Sequence, residues 1–236
     1  MTADFYSRTE ALLGKEAVLK LKNARVAVFG AGGVGSAAIE ALVRSGVGSV
    51  DIFDHDTISP SNLNRQLMTD STNIGKEKAA EAAKRASLIN PEGNFTAHCL
   101  FYLPDTAERV DLSAYDYIID AVDTLTAKLL LVERAKAAGV PIISCLGTGN
   151  KTDITRLRVS DIKKTEICPL ARRMRKELRE REIDELLCVW SDENPFFADD
   201  TGELKGNRPA PASAIFVPAA AGILLAREVI THIVGK

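Results

Sequence analysis

Apolar and polar positions alternate in two rhythms along this chain, and their succession predicts strands and helices taking turns. Residues 9–22 place Leu12, Leu13, Ala17, Val18 and Leu21 on one face at helical spacing, an opening helix. Val26-Ala27-Val28-Phe29 reads as a buried strand, and a helix from Ser36 to Arg44 closes at Gly46. Val50-Asp51-Ile52-Phe53 makes a second strand ending at Asp54. Strand, helix, strand at this length is a right-handed βαβ unit, which requires a parallel sheet. A helix over 76–89 follows, stopped by Asn90-Pro91, with strands expected at 94–100, 117–122 and 140–145 and a helix at 126–138 before Gly139.

The pattern then changes. Residues 155–160 alternate apolar and polar, with Arg156 and Arg158 on one face, like a strand half exposed to water. Cys168-Pro169 opens a basic helix running to about Glu182, and 187–190 reads as another strand. Residues 191–213 read as a mobile loop. The apolar tract 210–226 holds Pro211 and Pro218, so it reads as a buried strand and a final buried helix starting at Pro218, not as a membrane span. The expected fold is α/β, Rossmann-like and doubly wound. Its sheet is mainly parallel, with an antiparallel C-terminal extension and a basic helical segment.

Composition bounds this picture. At 236 residues the chain fits one domain, 1–236, with a nucleotide-binding half over 1–150 and a substrate and dimer half over 151–236. A formal charge of −2 gives no overall nucleic-acid signature, so any basic surface is local. The four cysteines, at 99, 145, 168 and 188, form no C-x-x-C pair, which argues against a zinc knuckle or a disulfide framework and suits a reducing cytoplasm. The N-terminus lacks the basic and apolar regions of a signal peptide.

The chemistry concentrates at Gly30-Ala31-Gly32-Gly33-Val34-Gly35-Ser36, between the first strand and its helix. Glycines there let a phosphate approach the backbone, and the helix aims unpaired N–H groups at it. Asp54, near where an acid accepts from a ribose, would serve a nicotinamide cofactor equally well. Arg65 and Lys78 shift the balance, because they supply charge for a triphosphate. Asp123, just past a strand's carboxyl end, could hold Mg²⁺. As plainer readings, Asp54 could cap a turn, Asp123 could cap the helix at 126–138, and either cation alone could be surface charge.

The run Gly30–Ser36, Asp54-His55-Asp56, Ser61-Asn62-Leu63-Asn64-Arg65-Gln66, Gly75-Lys76-Glu77-Lys78 and Ala121-Val122-Asp123 resembles the ubiquitin-activating-enzyme-like (ThiF-type) superfamily over about residues 8–149. The resemblance implies that Gly30, Gly32, Gly33, Gly35, Ser36 and Gln66 surround ATP. It also implies that Asp54 binds the ribose, that Asn62, Arg65 and Lys78 hold the triphosphate, and that Asp123 supports Mg²⁺. Arg8 matches a family arginine that reaches the neighbouring subunit's ATP, which implies a homodimer.

The C-terminal third lacks the paired zinc cysteines of many members. Its Pro169–Arg179 run, Val189-Trp190-Ser191 and Phe216-Val217-Pro218 are similar to the tRNA threonylcarbamoyladenosine dehydratase branch. In that branch ATP activates a carboxylate of a modified tRNA adenosine, and a nucleophile in the same molecule closes a ring. On the basic helix, Leu170, Met174 and Leu178 share one sector and Arg172, Arg175, Lys176 and Arg179 lie opposite, facing tRNA on this reading. The plain alternative is a solvated helix with Lys176–Glu180 and Glu177–Arg181 pairs. The competing function is an adenylyltransferase acting on the C-terminal Gly-Gly of a sulfur-carrier protein. A monovalent cation (K⁺ or Na⁺) and a cysteine desulfurase or sulfur acceptor are further candidate partners. Cys168 and Cys188 read as buried small hydrophobes rather than reactive thiols, because cyclodehydration needs none.

Overall fold

The computed structural model describes residues 4–196, 202, 204, 205 and 208–236. Two short helices, α1 (Ser7–Leu13) and α2 (Lys15–Asn23), replace the single opening helix expected over 9–22. Gly14 separates them at φ +96, a backbone angle no helix interior accommodates. Then come β1 (Arg25–Phe29), α3 (Gly33–Ser45), β2 (Ser49–Phe53), α4 (Lys78–Ile89), β3 (Asn94–His98), β4 (Tyr117–Asp120), α5 (Leu125–Ala137) and β5 (Ile142–Cys145). The C-terminal third holds β6 (Leu157–Asp161), α6 (Pro169–Glu180), β7 (Leu187–Ser191), a short hairpin of β8 (Leu204–Lys205) and β9 (Arg208–Pro209), and α7 (Phe216–Val234).

Seven strands form one sheet in the order β3-β2-β1-β4-β5-β7-β6. Every pairing is parallel except β6 with β7, the expected antiparallel extension. Their apolar runs are buried on both sides, as a sheet covered on two faces requires. One core lies under α3, α4 and α7, and the other under α5 and α6. Successive strands step outward from β1 in opposite directions, so the crevice opens between β1 and β4 at their carboxyl ends.

The tract 210–215 forms no strand. Its backbone instead makes single bonds to two loops, with Ala212 O accepting from Asn150 N–H at 2.8 Å and Ser213 O from Asn64 Nδ2 at 2.9 Å. Helix α7 begins at Phe216 rather than Pro218. It is the one described helix long and apolar enough to cross a membrane. It serves as a core element: a Cβ on Gly222 would stand 2.2 Å from Val34 O and 2.9 Å from Ala37 Cβ, so α7 presses backbone to backbone on α3. Of the mobile loop expected over 191–213, residues 197–201, 203, 206 and 207 lie outside the described set, while Ser191 belongs to β7 and Leu204–Lys205 and Arg208–Pro209 form the short hairpin.

Candidate functional site: a phosphate crevice at the strand carboxyl ends

The glycine turn is fixed by close contacts. A Cβ on Gly35 would lie 1.7 Å from Gly30 O, and one on Gly30, at φ +93, would lie 2.6 Å from Ala121 O. Gly32 faces open space, with no atom within 4 Å of its would-be Cβ. The turn thus packs tightly underneath and leaves room where a ligand backbone would pass, above the N-terminus of α3.

Asp54 follows β2 and is buried, and its carboxylate accepts Ala31 N–H at 2.6 Å and Asp56 N–H at 2.8 Å. The same side chain therefore shapes the glycine turn and stands beside it. Lys78, the first residue of α4, is 7% exposed and reaches Asp56 Oδ2 at 2.7 Å. His55 Nε2 lies 3.2 Å from Asp56 Oδ1, and the His55 ring stacks on Phe101 at 4.0 Å. Asp54, His55 and Asp56 bring their ligand atoms within 4.8 Å of one another. Their oxygens accept from backbone N–H groups and pair with Lys78 and His55, so the trio is a hydrogen-bonded support beside the turn.

Arg65 lies across the first turn of α3, its Cγ 3.3 Å from the would-be Cβ of Gly33, with Pro218 equally close. Its guanidinium donates to Ser61 O and Asn64 Oδ1, each at 2.8 Å. Two residues expected to surround the nucleotide also have structural work. Asn62 Oδ1 caps its own turn by accepting Ser59 N–H at 3.1 Å, and Ser36 Oγ accepts Leu67 N–H at 3.1 Å. Gln66 is 5% exposed, and its Oε1 has no hydrogen-bond partner among the described residues. Asp123 is exposed at the end of β4, three residues beyond Asp120, on the turn whose Ala121 touches the glycine loop.

Arg8 stands apart from these groups. It is exposed on α1, two residues from Tyr6, whose ring packs against Gly46 at the far end of α3. Thirteen residues of α3 separate that end from the glycine turn, about 20 Å at 1.5 Å per residue.

The basic helix requires a correction. Ala171, Met174 and Leu178 are its buried residues, so the buried sector is turned by roughly 30° from the one expected over Leu170, Met174 and Leu178. That turn draws Arg175 in from solvent. Its guanidinium donates to Thr165 O at 2.7 Å and to Thr165 Oγ1, tying α6 to the preceding turn. Arg172, Lys176 and Arg179 are exposed as expected, and Arg173 joins them. Lys176 lies 3.8 Å from Glu180, while Arg172, Arg173 and Arg179 have no ion-pair partner among the described residues.

Three buried polar residues escaped the sequence reading. Lys128 and Asp120 form a wholly buried ion pair with Nζ 3.0 Å from each carboxylate oxygen; its sign was one cation inside the apolar run of α5. Lys151, 7% exposed, donates to Ser191 O at 3.0 Å, and burial pushes its amine down from the ordinary value. Burial raises the Cys145 and Cys188 thiols to about 12, so both stay protonated.

A profile of the ThiF family matches residues 6–236. The chain belongs to the ThiF family. Among relatives, it is 37% identical over 235 residues to the tRNA threonylcarbamoyladenosine dehydratase of Bacillus subtilis, covering 95% of this chain and 92% of that protein. The crystal structure of the Escherichia coli tRNA N6-threonylcarbamoyladenosine dehydratase with ATP overlays with a TM-score of 0.86 at 30% identity, over 98% of this chain and 94% of that one. An adenylyltransferase and sulfurtransferase from Vanderwaltozyma polyspora is 36% identical, but over 63% of this chain and 34% of its own length. This ThiF-family chain thus aligns with 92% of the Bacillus dehydratase and 34% of the adenylyltransferase.

Proposed function

We propose that this chain is an ATP-dependent tRNA threonylcarbamoyladenosine dehydratase. The observation that carries the reading is the likeness to dehydratases through 95% of the chain, C-terminal third included. A free carboxylate resists attack because its charge repels nucleophiles and oxide is a poor leaving group. One carboxylate oxygen of the modified adenosine attacks the α-phosphorus of ATP, and pyrophosphate departs. The ureido group of the same nucleoside then attacks the acyl carbon, loses its proton and expels AMP. Ring closure is intramolecular, so the enzyme's task there is alignment and exclusion of water.

Each site group has a part in that sequence. The N-terminus of α3 and the open side of Gly32 receive phosphate, and Asp54 accepts from the ribose. Arg65 and Lys78 neutralise the triphosphate. The exposed carboxylate of Asp123 is a hard oxygen donor suited to Mg²⁺, which would supply charge neutralisation at the phosphates. For a monovalent cation, the unpaired buried oxygens Thr124 Oγ1 and Asn150 Oδ1 follow the neighbouring strands β4 and β5. Gln66 Oε1 is a spare acceptor in the same half of the molecule.

Arg8 sits too far from its own glycine turn to serve it, which supports service to a second copy in a homodimer. Arg172, Lys176 and Arg179, with Arg173 added and Arg175 removed, form the surface for tRNA phosphates. An enzyme of tRNA would work in the cytoplasm. No step of this reaction calls on a sulfur-relay partner, and burial raises the Cys145 and Cys188 thiols.

The test is exchange of labelled pyrophosphate into ATP. Exchange should require tRNA carrying threonylcarbamoyladenosine and disappear in Asp123→Ala and Arg65→Ala. Exchange supported by a sulfur-carrier protein instead would overturn the reading. For the surface, charge reversal at Arg172 and Arg179 should weaken tRNA binding. The slope of log affinity against log salt should flatten by about 0.7 for each phosphate no longer neutralised. An unchanged slope would remove the helix from the interface.

A further inference from the structure

The Lys128–Asp120 pair takes no direct part in the chemistry above, yet its bonds anchor the β4 wall of the crevice. Lys128 is 1% exposed and Asp120 is fully buried. Every donor of the ammonium is used: Nζ lies 3.0 Å from each oxygen of Asp120 and 2.7 Å from Cys145 O. The carboxylate also accepts Ser144 Oγ at 2.7 Å and Val122 N–H at 3.2 Å. One network therefore joins the end of β4, the first turn of α5 and the end of β5. Val122 lies between Ala121, which touches the glycine turn, and Asp123.

Burying two full charges costs more desolvation than packing apolar side chains of the same volume, so such a pair is weak evidence of stabilisation. The neighbouring Leu129, Leu131 and Val132 show that α5 packs apolar residues at adjacent positions. What the charges add is direction: five hydrogen bonds at fixed angles hold the Ala121–Thr124 turn against β5.

We propose that Lys128 and Asp120 are positioning residues for adenylation, setting where Asp123 stands relative to the glycine turn. The inference rests on the dehydratase reading. Asp123 must meet the α-phosphate at a defined place, and a displacement of about 1 Å can cost on the order of 100-fold in rate.

The experiment compares wild type with Lys128→Met and with the double variant Asp120→Asn, Lys128→Met. The double variant discards both charges and keeps an acceptor for Val122 N–H. The single variant leaves a buried carboxylate without its cation and should melt well below wild type. The double should recover most of that loss, while kcat for ATP-dependent tRNA conversion stays about 10- to 100-fold down with KM for ATP within about twofold. Ser144→Ala removes one donor and leaves the two charges matched, so it should destabilise less than Lys128→Met, and it should lower kcat with KM unchanged. Wild-type kcat in Ser144→Ala, or in a double variant with recovered melting, overturns the positioning role. Wild type that is itself inactive on modified tRNA overturns the functional reading, and this inference with it.

Discussion

Lys78 Nζ rests 2.7 Å from Asp56 Oδ2, joining a nearly buried ammonium to a carboxylate that is half exposed. The contact is reinforced in the backbone, where Lys78 N–H donates to Asp56 O at 3.0 Å. Asp56 thus holds the cation at the crevice before any nucleotide arrives. Asp56→Asn keeps the shape and removes the charge, and should raise the Kd for ATP by roughly fivefold to tenfold, the effect of one charge-assisted bond. Lys78→Met should cost more, because the phosphates lose the cation itself. Calorimetric titration with ATP checks both, and unchanged affinity in Asp56→Asn would show that Lys78 needs no such support.

The link between α3 and α4 should be sensitive to acid. Arg85 on α4 grips Glu40 on α3 at 2.6 and 3.0 Å, and Arg44 adds a third contact at 2.8 Å. Burial pushes the Glu40 carboxyl up, but the hydrogen bonds from Arg85 and Arg44 outweigh it and leave the group below its ordinary value of 4.5. A depressed carboxyl contributes stability above its unfolded value, and that stability is lost as pH falls through the folded one. Glu40→Gln should therefore unfold at lower urea near pH 7, by roughly 1 kcal/mol for a partly exposed network. The gap should close in acid, once pH falls below the depressed folded value and the wild-type carboxyl is protonated as well. A gap that persists there would assign the effect to packing.

The cysteines should be bystanders. Cys145, Cys168 and Cys188 are buried and Cys99 is exposed. Partial loss of solvent, with Glu77 and Asp54 nearby, raises the Cys99 thiol too, which keeps it a slow nucleophile. Brief iodoacetamide treatment of the folded protein should label Cys99 alone, and Cys188→Ala should keep full turnover. Rapid labelling of Cys168 or Cys188, or an inactive Cys188→Ala, would point to a thiol intermediate.

The parallel half was legible because its signals are local. A strand buried on both faces is an apolar run, and the glycines that permit a close turn are visible one by one. Contacts made across the fold were not. Nothing near Arg175 in sequence shows that Ala171, rather than Leu170, enters the core, yet that choice turns the helix and draws Arg175 onto Thr165. Gly14 lies within an otherwise helical pattern, and its left-handed backbone splits the opening helix in two. Residues 210–215 carry strand-like apolar character, but their carbonyls bond Asn64 and Asn150 instead of a ladder. The Lys128–Asp120 pair spans eight residues and two elements, and its meaning depends on Ser144 and Cys145 arriving from β5.

The most direct test is mass spectrometry of nucleosides from tRNA bearing threonylcarbamoyladenosine, after incubation with this protein, ATP and Mg²⁺. The account predicts that the modified nucleoside gives way to a species lighter by one water, with AMP and pyrophosphate formed in step, and that Asp123→Ala abolishes the change. Nucleoside mass left intact while ATP is consumed would contradict it.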